Sequence, residues 1–377
     1  MTKYISIDKV KKKLILQSEL KKGIGFKMSN SKFFNMRNQN TKSKYTGTVV
    51  FLLVLILSSF SLFYNLSDLH IKMWDEAIYA NNSIEMMTDG NLLVVQYEGE
   101  PDLFNTKPPF VIWLQALSMK LFGINEFAVR FPSALFGLFT VLVVYFFCAR
   151  VIKSRVTGLF AVLVLITSKG FVGYHVTRTG DLDSVLVFWL TLYSLIFLTM
   201  LMYPFRKPKL YFSLLATGII FAFLTKGVAG FLFLPSMLLI SFLFGNHNIY
   251  KKKLIYIYAS FSLTVCIGYY ILREYLSPGY LDLVINFEIF RISEVVASWQ
   301  THPFDFYIWL IVEHFYPFYY VLPLTIFLPF LFKFKSNEFK ISIYLLILSI
   351  GYFVMISYPP VKLEWYDAPL YPIMAIL

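Results

Sequence analysis

Residues 46–66 read TGTVVFLLVLILSSFSLFYNL, and a short polar stretch carries the chain from there into MWDEAIYA at 73–80. At about 1.5 Å of rise per residue, the apolar run as a helix can cross a hydrocarbon core of about 30 Å. Similar runs lie near 127–148, 156–176, 184–203, 210–225, 228–244, 254–272, 306–332 and 341–357, with another starting near Asp367. Lipid offers backbone amides no partner, so each run is expected to satisfy its own hydrogen bonds as a helix. Composition agrees: 58% of the 377 residues are hydrophobic, 19% are aromatic and mean hydropathy is +0.64, more apolar surface than a soluble domain can hide. The fold class is therefore all-α, a polytopic transmembrane helical bundle.

Charge sets the expected orientation, because short cytoplasmic loops collect Lys and Arg. Basic residues gather in the tail 1–45, at Arg150/Lys153/Arg155, at Arg206/Lys207/Lys209, at Lys251–Lys253 and at Lys333/Lys335/Lys340. The alternate loops hold the acids: Asp75, Glu76, Glu85, Asp102 and others in the first, then Asp181, Asp183, Asp282, Glu288, Glu294, Asp305, Glu364 and Asp367. The expectation is a cytoplasmic N-terminus in the inner or plasma membrane. The alternation requires that Pro108–Gly123 (PPFVIWLQALSMKLFG) lie in the interface without crossing, beside an amphipathic stretch around 75–89. The first outer loop then carries amphipathic juxtamembrane helices.

The net charge of +12 is assigned to this topology and to anionic lipid, leaving a nucleic-acid partner unsupported. The tail 1–45 reads as a disordered cytoplasmic segment, with 46–377 as the membrane domain. Because the chain stops inside the apolar run Tyr371–Leu377, that domain is expected to continue. Cys148 and Cys266 suggest neither a disulfide nor a thiolate metal site. His175 and His314 read as packing or interfacial residues, and Phe315–Tyr320 as an aromatic belt or lipid-groove wall.

Asp75 and Lys107-Pro108-Pro109 give the outer loop a carboxylate and a cation whose backbone is held extended by proline. That combination suits an anionic, lipid-linked substrate. Asp75 is read as base or orienting group, with helix capping as the alternative and Glu76 as its partner. Lys107 is assigned to a phosphate, against plain snorkelling to headgroups. Arg178, Asp181 and Asp183 stand where one span ends and the next begins. They either contact substrate or form an Arg178–Asp181 ion pair tying the loop. Lys226 and Lys362 are further phosphate candidates, with interfacial anchoring the alternative for them as for Arg130 and Arg291.

Several motifs carry a family resemblance: Trp74-Asp75-Glu76-Ala77-Ile78-Tyr79-Ala80, Gly99-Glu100-Pro101, Asn105-Thr106-Lys107-Pro108-Pro109, Trp113-Leu114-Gln115 and Asn125–Ser133. Arg178-Thr179-Gly180-Asp181, Thr225-Lys226-Gly227 and Lys362–Tyr366 extend it. In order and spacing they resemble GT-C glycosyltransferases, in particular the lipid A aminoarabinose transferases related to protein O-mannosyltransferases. The resemblance implies a sugar transferred with inversion from a polyprenyl phosphate to a lipid A, glycan or protein acceptor at the outer face. It implies Asp75 and Glu76 as catalytic residues, with Lys107, Arg178, Lys226 and Lys362 on the donor phosphate. Asp181, Asp183, Tyr79 and Arg130 contact substrate or support the site. Related transferases bind a divalent metal ion with a histidine, for which His302 is the candidate here, and a glutamate where this chain has Thr106, a departure that favours a His302 that only hydrogen-bonds backbone. A transporter or flippase of a lipid-linked or anionic solute is the rival reading, and a scaffold without catalysis the third.

Overall fold

The computed structural model describes residues 47–173, 175–203, 207–244, 249–289 and 300–377. The tail 1–45, Arg206, Arg291 and Glu294 lie outside the described residues. Residues 55–377 group as one compact unit. The helices run α1 (Gly47–Phe63), α2 (Asp75–Asp89), α3 (Phe110–Phe122), α4 (Glu126–Phe147), α5 (Arg155–Thr167), α6 (Lys169–Val172), α7 (Asp183–Met202) and α8 (Pro208–Lys226). They continue as α9 (Leu234–Leu243), α10 (Lys253–Leu276), α11 (Tyr280–Val284), α12 (Phe306–His314), α13 (Leu322–Thr325), α14 (Asn337–Ser357) and α15 (Leu370–Ile376). Among the described residues, five helices are long and apolar enough to span a bilayer: α4 with the π-turn after it, α7, α8 with its 3-10 extension, α10 and α14. The protein is an all-α integral membrane protein.

The ends of these helices follow their sequence. Asn125 caps α4 by accepting from the Ala128 amide at 2.9 Å, and Ser154 and Ser336 cap α5 and α14 in the same way, each satisfying an amide that has no partner inside the helix. α7 is enclosed along most of its length, whereas in α10 only Ser262, Cys266 and Arg273 are buried. α7 and α8 approach closely at Gly218, where a Cβ would come within 2.7 Å of the Tyr193 Cβ. In lipid, such close packing of small residues replaces the hydrophobic drive that holds helices together in water. Phe110, Phe136, Phe188 and Phe223 form an aromatic cluster that seats α3 against α4, α7 and α8.

Three apolar runs do not form single helices. The run at 156–176 breaks at Ser168, which adopts extended backbone between α5 and α6. Gly227, at φ +56°, starts a 3-10 turn between α8 and α9. The run at 306–332 ends as α12 at His314 and continues through short turns with Pro317, Pro323 and Pro329 at or beside their first residues, because each proline removes a helix donor. The segment between α1 and α4 holds α2 and α3 where amphipathic helices were expected. It also holds a small antiparallel hairpin, Gln96–Tyr97 with Glu100–Pro101, whose turn places Gly99 at φ +80°. The Glu85 carboxylate accepts the turn amides of Glu98 and Gly99.

Candidate active site

The first turn of α2 presents two adjacent carboxylates in opposite circumstances. Glu76 is buried: Oε1 accepts from Arg130 Nε at 2.7 Å and Gly180 N at 2.8 Å, and Oε2 from Lys72 N at 2.7 Å and Arg130 Nη2 at 3.1 Å. Arg130 spends its remaining donors on the carbonyls of Leu66, Leu69 and His70. The pair thus ties the segment before α2 to α4 and to the loop carrying Asp181. Gln115 adds to this clasp, donating to the carbonyls of Gly180 at 2.7 Å and Val129 at 3.1 Å while accepting from Ser83 Oγ at 2.9 Å. At Gly180 a Cβ would meet the Val129 side chain at 2.4 Å, so only glycine fits there.

Asp75, by contrast, faces a cluster of ionisable groups. Its carboxyl, the imidazole of His175 and the carboxyl of Asp181 offer atoms within 4.8 Å of one another. Burial raises the Asp75 pKa, and the Asp181 charge raises it further, against the pull of His175, Lys226 and Lys107. Burial opposes a charge on His175, but Asp181, Asp183 and Asp75 outweigh it and raise that pKa. His175 sits at φ +63°, with Nδ1 3.1 Å from Asp181 Oδ1 and its ring stacked on Trp365 at 3.5 Å between centroids. Thr179 Oγ1 donates to Asp181 Oδ2. Tyr79, one turn beyond Asp75, packs beside the Phe110 cluster. Burial, with Asp75 and Asp181, pushes its hydroxyl pKa well up, so it stays a neutral donor.

Lys107 reaches the site from a turn built by Asn82, Asp102 and Asn105. Asn82 donates to Asp102 Oδ2 at 2.9 Å, Asn105 donates to Asn82 Oδ1 at 3.0 Å, and Asn105 Oδ1 accepts the Lys107 amide at 3.2 Å. The Lys107 ammonium then lies 2.8 Å from Glu288 Oε1, which also accepts from Thr106 Oγ1 at 3.1 Å. Lys226 ends α8 and pairs at 2.6 Å with Asp183 at the start of α7, its ammonium 5.1 Å from the centre of the Tyr366 ring.

Three candidates stand apart from this cluster. Arg178 donates to the carbonyls of Ser61, Tyr64 and Asn65, which caps the C-terminal end of α1. Among the described residues it makes no ion pair with Asp181. Lys362 is buried and donates to the carbonyls of His302 and Pro359, and burial lowers its pKa. His302 stacks on Phe306 at 4.0 Å between centroids. The donor set suited to a divalent cation is therefore Asp75, His175 and Asp181, two carboxylates and an imidazole.

His175, read from the sequence as a packing or interfacial residue, is buried and stacked on Trp365 and also lies beside Asp75 and Asp181, and Glu288 had been noted only as one acid of an outer loop. Nothing local marks either one. The Thr106–Glu288 contact joins positions 182 residues apart, beyond the reach of any spacing rule.

Residues 106–271 match the family described as dolichyl-phosphate-mannose-protein mannosyltransferase. An uncharacterized protein of Aquifex aeolicus is 30% identical over 87% of this chain and 62% of its own length. The undecaprenyl phosphate-alpha-4-amino-4-deoxy-L-arabinose arabinosyl transferase of Wigglesworthia glossinidia brevipalpis is 29% identical over 59% of this chain and 39% of its own. The chain thus spans under two thirds of the length of these relatives. In fold it is similar to ArnT from Cupriavidus metallidurans bound to undecaprenyl phosphate, with a TM-score of 0.72, 20% identity, and coverage of 86% of this chain and 58% of that one. The relatives named for an activity are glycosyltransferases, and the resemblance read from the motifs holds in both sequence and fold.

Proposed function

We propose that this chain, GT-C and aminoarabinose- or mannosyltransferase-like in sequence and fold, transfers a sugar from a polyprenyl phosphate to an acceptor hydroxyl or amine, with its site at the outer face. One observation supports the reading: the Asp75 carboxyl lies within 4.8 Å of His175 and Asp181, where the charges of Lys226 and Lys107 also act on it. Inverting transfer requires a base on the acceptor side and cations on the phosphate side. The acceptor oxygen or nitrogen bonds to the anomeric carbon as the bond from that carbon to the phosphate oxygen breaks. The electron pair of the broken bond stays on the phosphate, and the acceptor proton passes to Asp75.

Burial and Asp181 strengthen Asp75 as a base by raising its pKa. Lys107, half-buried and reachable, receives the leaving phosphate, while Lys226, paired to Asp183, adds positive potential. Glu76 and Arg130 are positioning residues, because their polar groups are already occupied by one another and by backbone. Arg178 supports α1, and Lys362 supports the segment that carries Trp365 onto His175. A divalent cation at Asp75, His175 and Asp181 would supply further positive charge for the phosphate. The acidic and basic residues of this cluster sit at helix ends, as Asp183 and Lys226 do, which favours an enzyme over a transporter with charges in mid-span.

The test incubates the purified membrane protein with a panel of polyprenyl-phosphate sugars and lipid A, glycan and peptide acceptors. Mass spectrometry then looks for free polyprenyl phosphate together with a glycosylated product. Release of neither from any donor, by protein that is folded, defeats the reading.

A further inference from the structure

The Lys107–Glu288 pair raises a chemical difficulty for a site that receives phosphate. Glu288 holds a carboxylate against the very ammonium that the leaving group needs. It is held there firmly: its side chain is 5% exposed against 26% for Lys107, and Thr106 donates to the same oxygen. Its other oxygen lies where a Cβ on residue 227 would come within 2.5 Å, a position that is glycine at φ +56°. Three separate features therefore make room for this carboxylate and fix it.

A permanent negative charge beside a phosphate subsite penalises a ligand in proportion to the ligand's own charge. The donor in the proposed reaction is a phosphodiester with a single negative charge, and the product is a monoester carrying about −1.5 to −2 at pH 7. With Lys107 alone, the product would bind more tightly than the donor and clog the site. We infer that Glu288 is a specificity-determining residue that discriminates against the dianionic polyprenyl phosphate product, weakening its hold on Lys107 so that it leaves after transfer. The inference rests on the proposed function and adds to it a device for product release. Glu288 touches Lys107 and not the reacting atoms, and its charge acts on the phosphate from beside the lysine.

The experiment measures binding of two probes, undecaprenyl phosphate and its methyl diester, to the purified protein with and without Glu288→Gln. The amide keeps the shape and can still accept from Thr106 while losing the charge. Undecaprenyl phosphate is expected to bind about tenfold tighter to E288Q and the diester about threefold tighter, so the ratio of the two affinities moves. In turnover, E288Q should show stronger inhibition by undecaprenyl phosphate and a kcat that falls more than the donor KM. On a Lys107→Ala background the Gln substitution should still favour the monoester over the diester, because the carboxylate's charge acts on the phosphate through space. A Glu288 that only braces the loop would alter thermal stability and leave the monoester-to-diester ratio where it was, and that result overturns the inference. If K107A weakens binding while E288Q changes nothing, the inference fails alone. Should neither probe bind any variant, the proposed function fails and the inference falls with it.

Discussion

Glu76 and Asp75 are neighbours on the same helical turn, yet one is saturated by partners and the other faces ionisable groups, which the proposed function reads as scaffold and chemistry. The carboxylate of Glu76 is buried and shared among Arg130, Gly180 and Lys72. That of Asp75 lies among ionisable groups drawn from other segments, His175 and Asp181 closest. The same contrast separates Arg130, all of whose donor nitrogens are engaged, from Lys107, whose partner Glu288 is another side chain. Saturated ion pairs hold a loop, whereas a charge with capacity to spare can meet a substrate.

The comparison breaks most visibly at the scaffold pair. Arg130→Met leaves the Glu76 carboxylate buried without its cation, which should cost about 3–5 kcal/mol. Thermal unfolding in detergent should show a large fall in midpoint, and a variant that melts like the wild type yet has lost transfer would instead put Arg130 in the chemistry. Asp75→Asn should do the reverse, lowering the transfer rate by about 10²–10⁴-fold with stability changed by less than about 0.5 kcal/mol. Near-normal turnover of a prenyl-linked sugar by that variant removes Asp75 from the base role.

A subtler test uses pH. Asp75 acts as base only when ionised, and its pKa is raised by burial and by Asp181. The transfer rate should therefore fall as pH drops through that raised pKa. Asp181→Asn removes a neighbouring negative charge, so the acid limb of the kcat/KM profile should move to lower pH. A limb that stays in place, or moves up, separates the two carboxyls. The smallest effect is expected at Arg178→Met, which uncaps α1 and should cost about 0.5–1 kcal/mol while the donor KM holds. A raised KM would return Arg178 to the phosphate.

Much of this site was legible in the chain because its motifs are local. Trp74–Ala80 and Asn105–Pro109 announce a loop with a carboxylate and a proline-framed lysine, and the charge of Lys107 acts on Asp75. What stayed illegible was the division of labour. Arg178 looks from its position like a phosphate ligand, and only the three-dimensional course of α1 gives it carbonyls to cap. His302 carries the chemistry of a metal ligand, but its neighbour is Phe306, while His175 is swung by a left-handed backbone turn onto Trp365.

The all-α membrane class was settled by sequence alone. Hydrocarbon thickness and the absence of hydrogen-bond partners in lipid act on every residue of a run regardless of what lies elsewhere. Which carboxylate is spent and which is available was decided by tertiary structure. Glu76 meets Arg130 and Gly180, and Lys107 meets Glu288, across 54, 104 and 181 residues of chain. An ion pair's worth depends on burial and on competing donors that assemble only when those distant segments pack together.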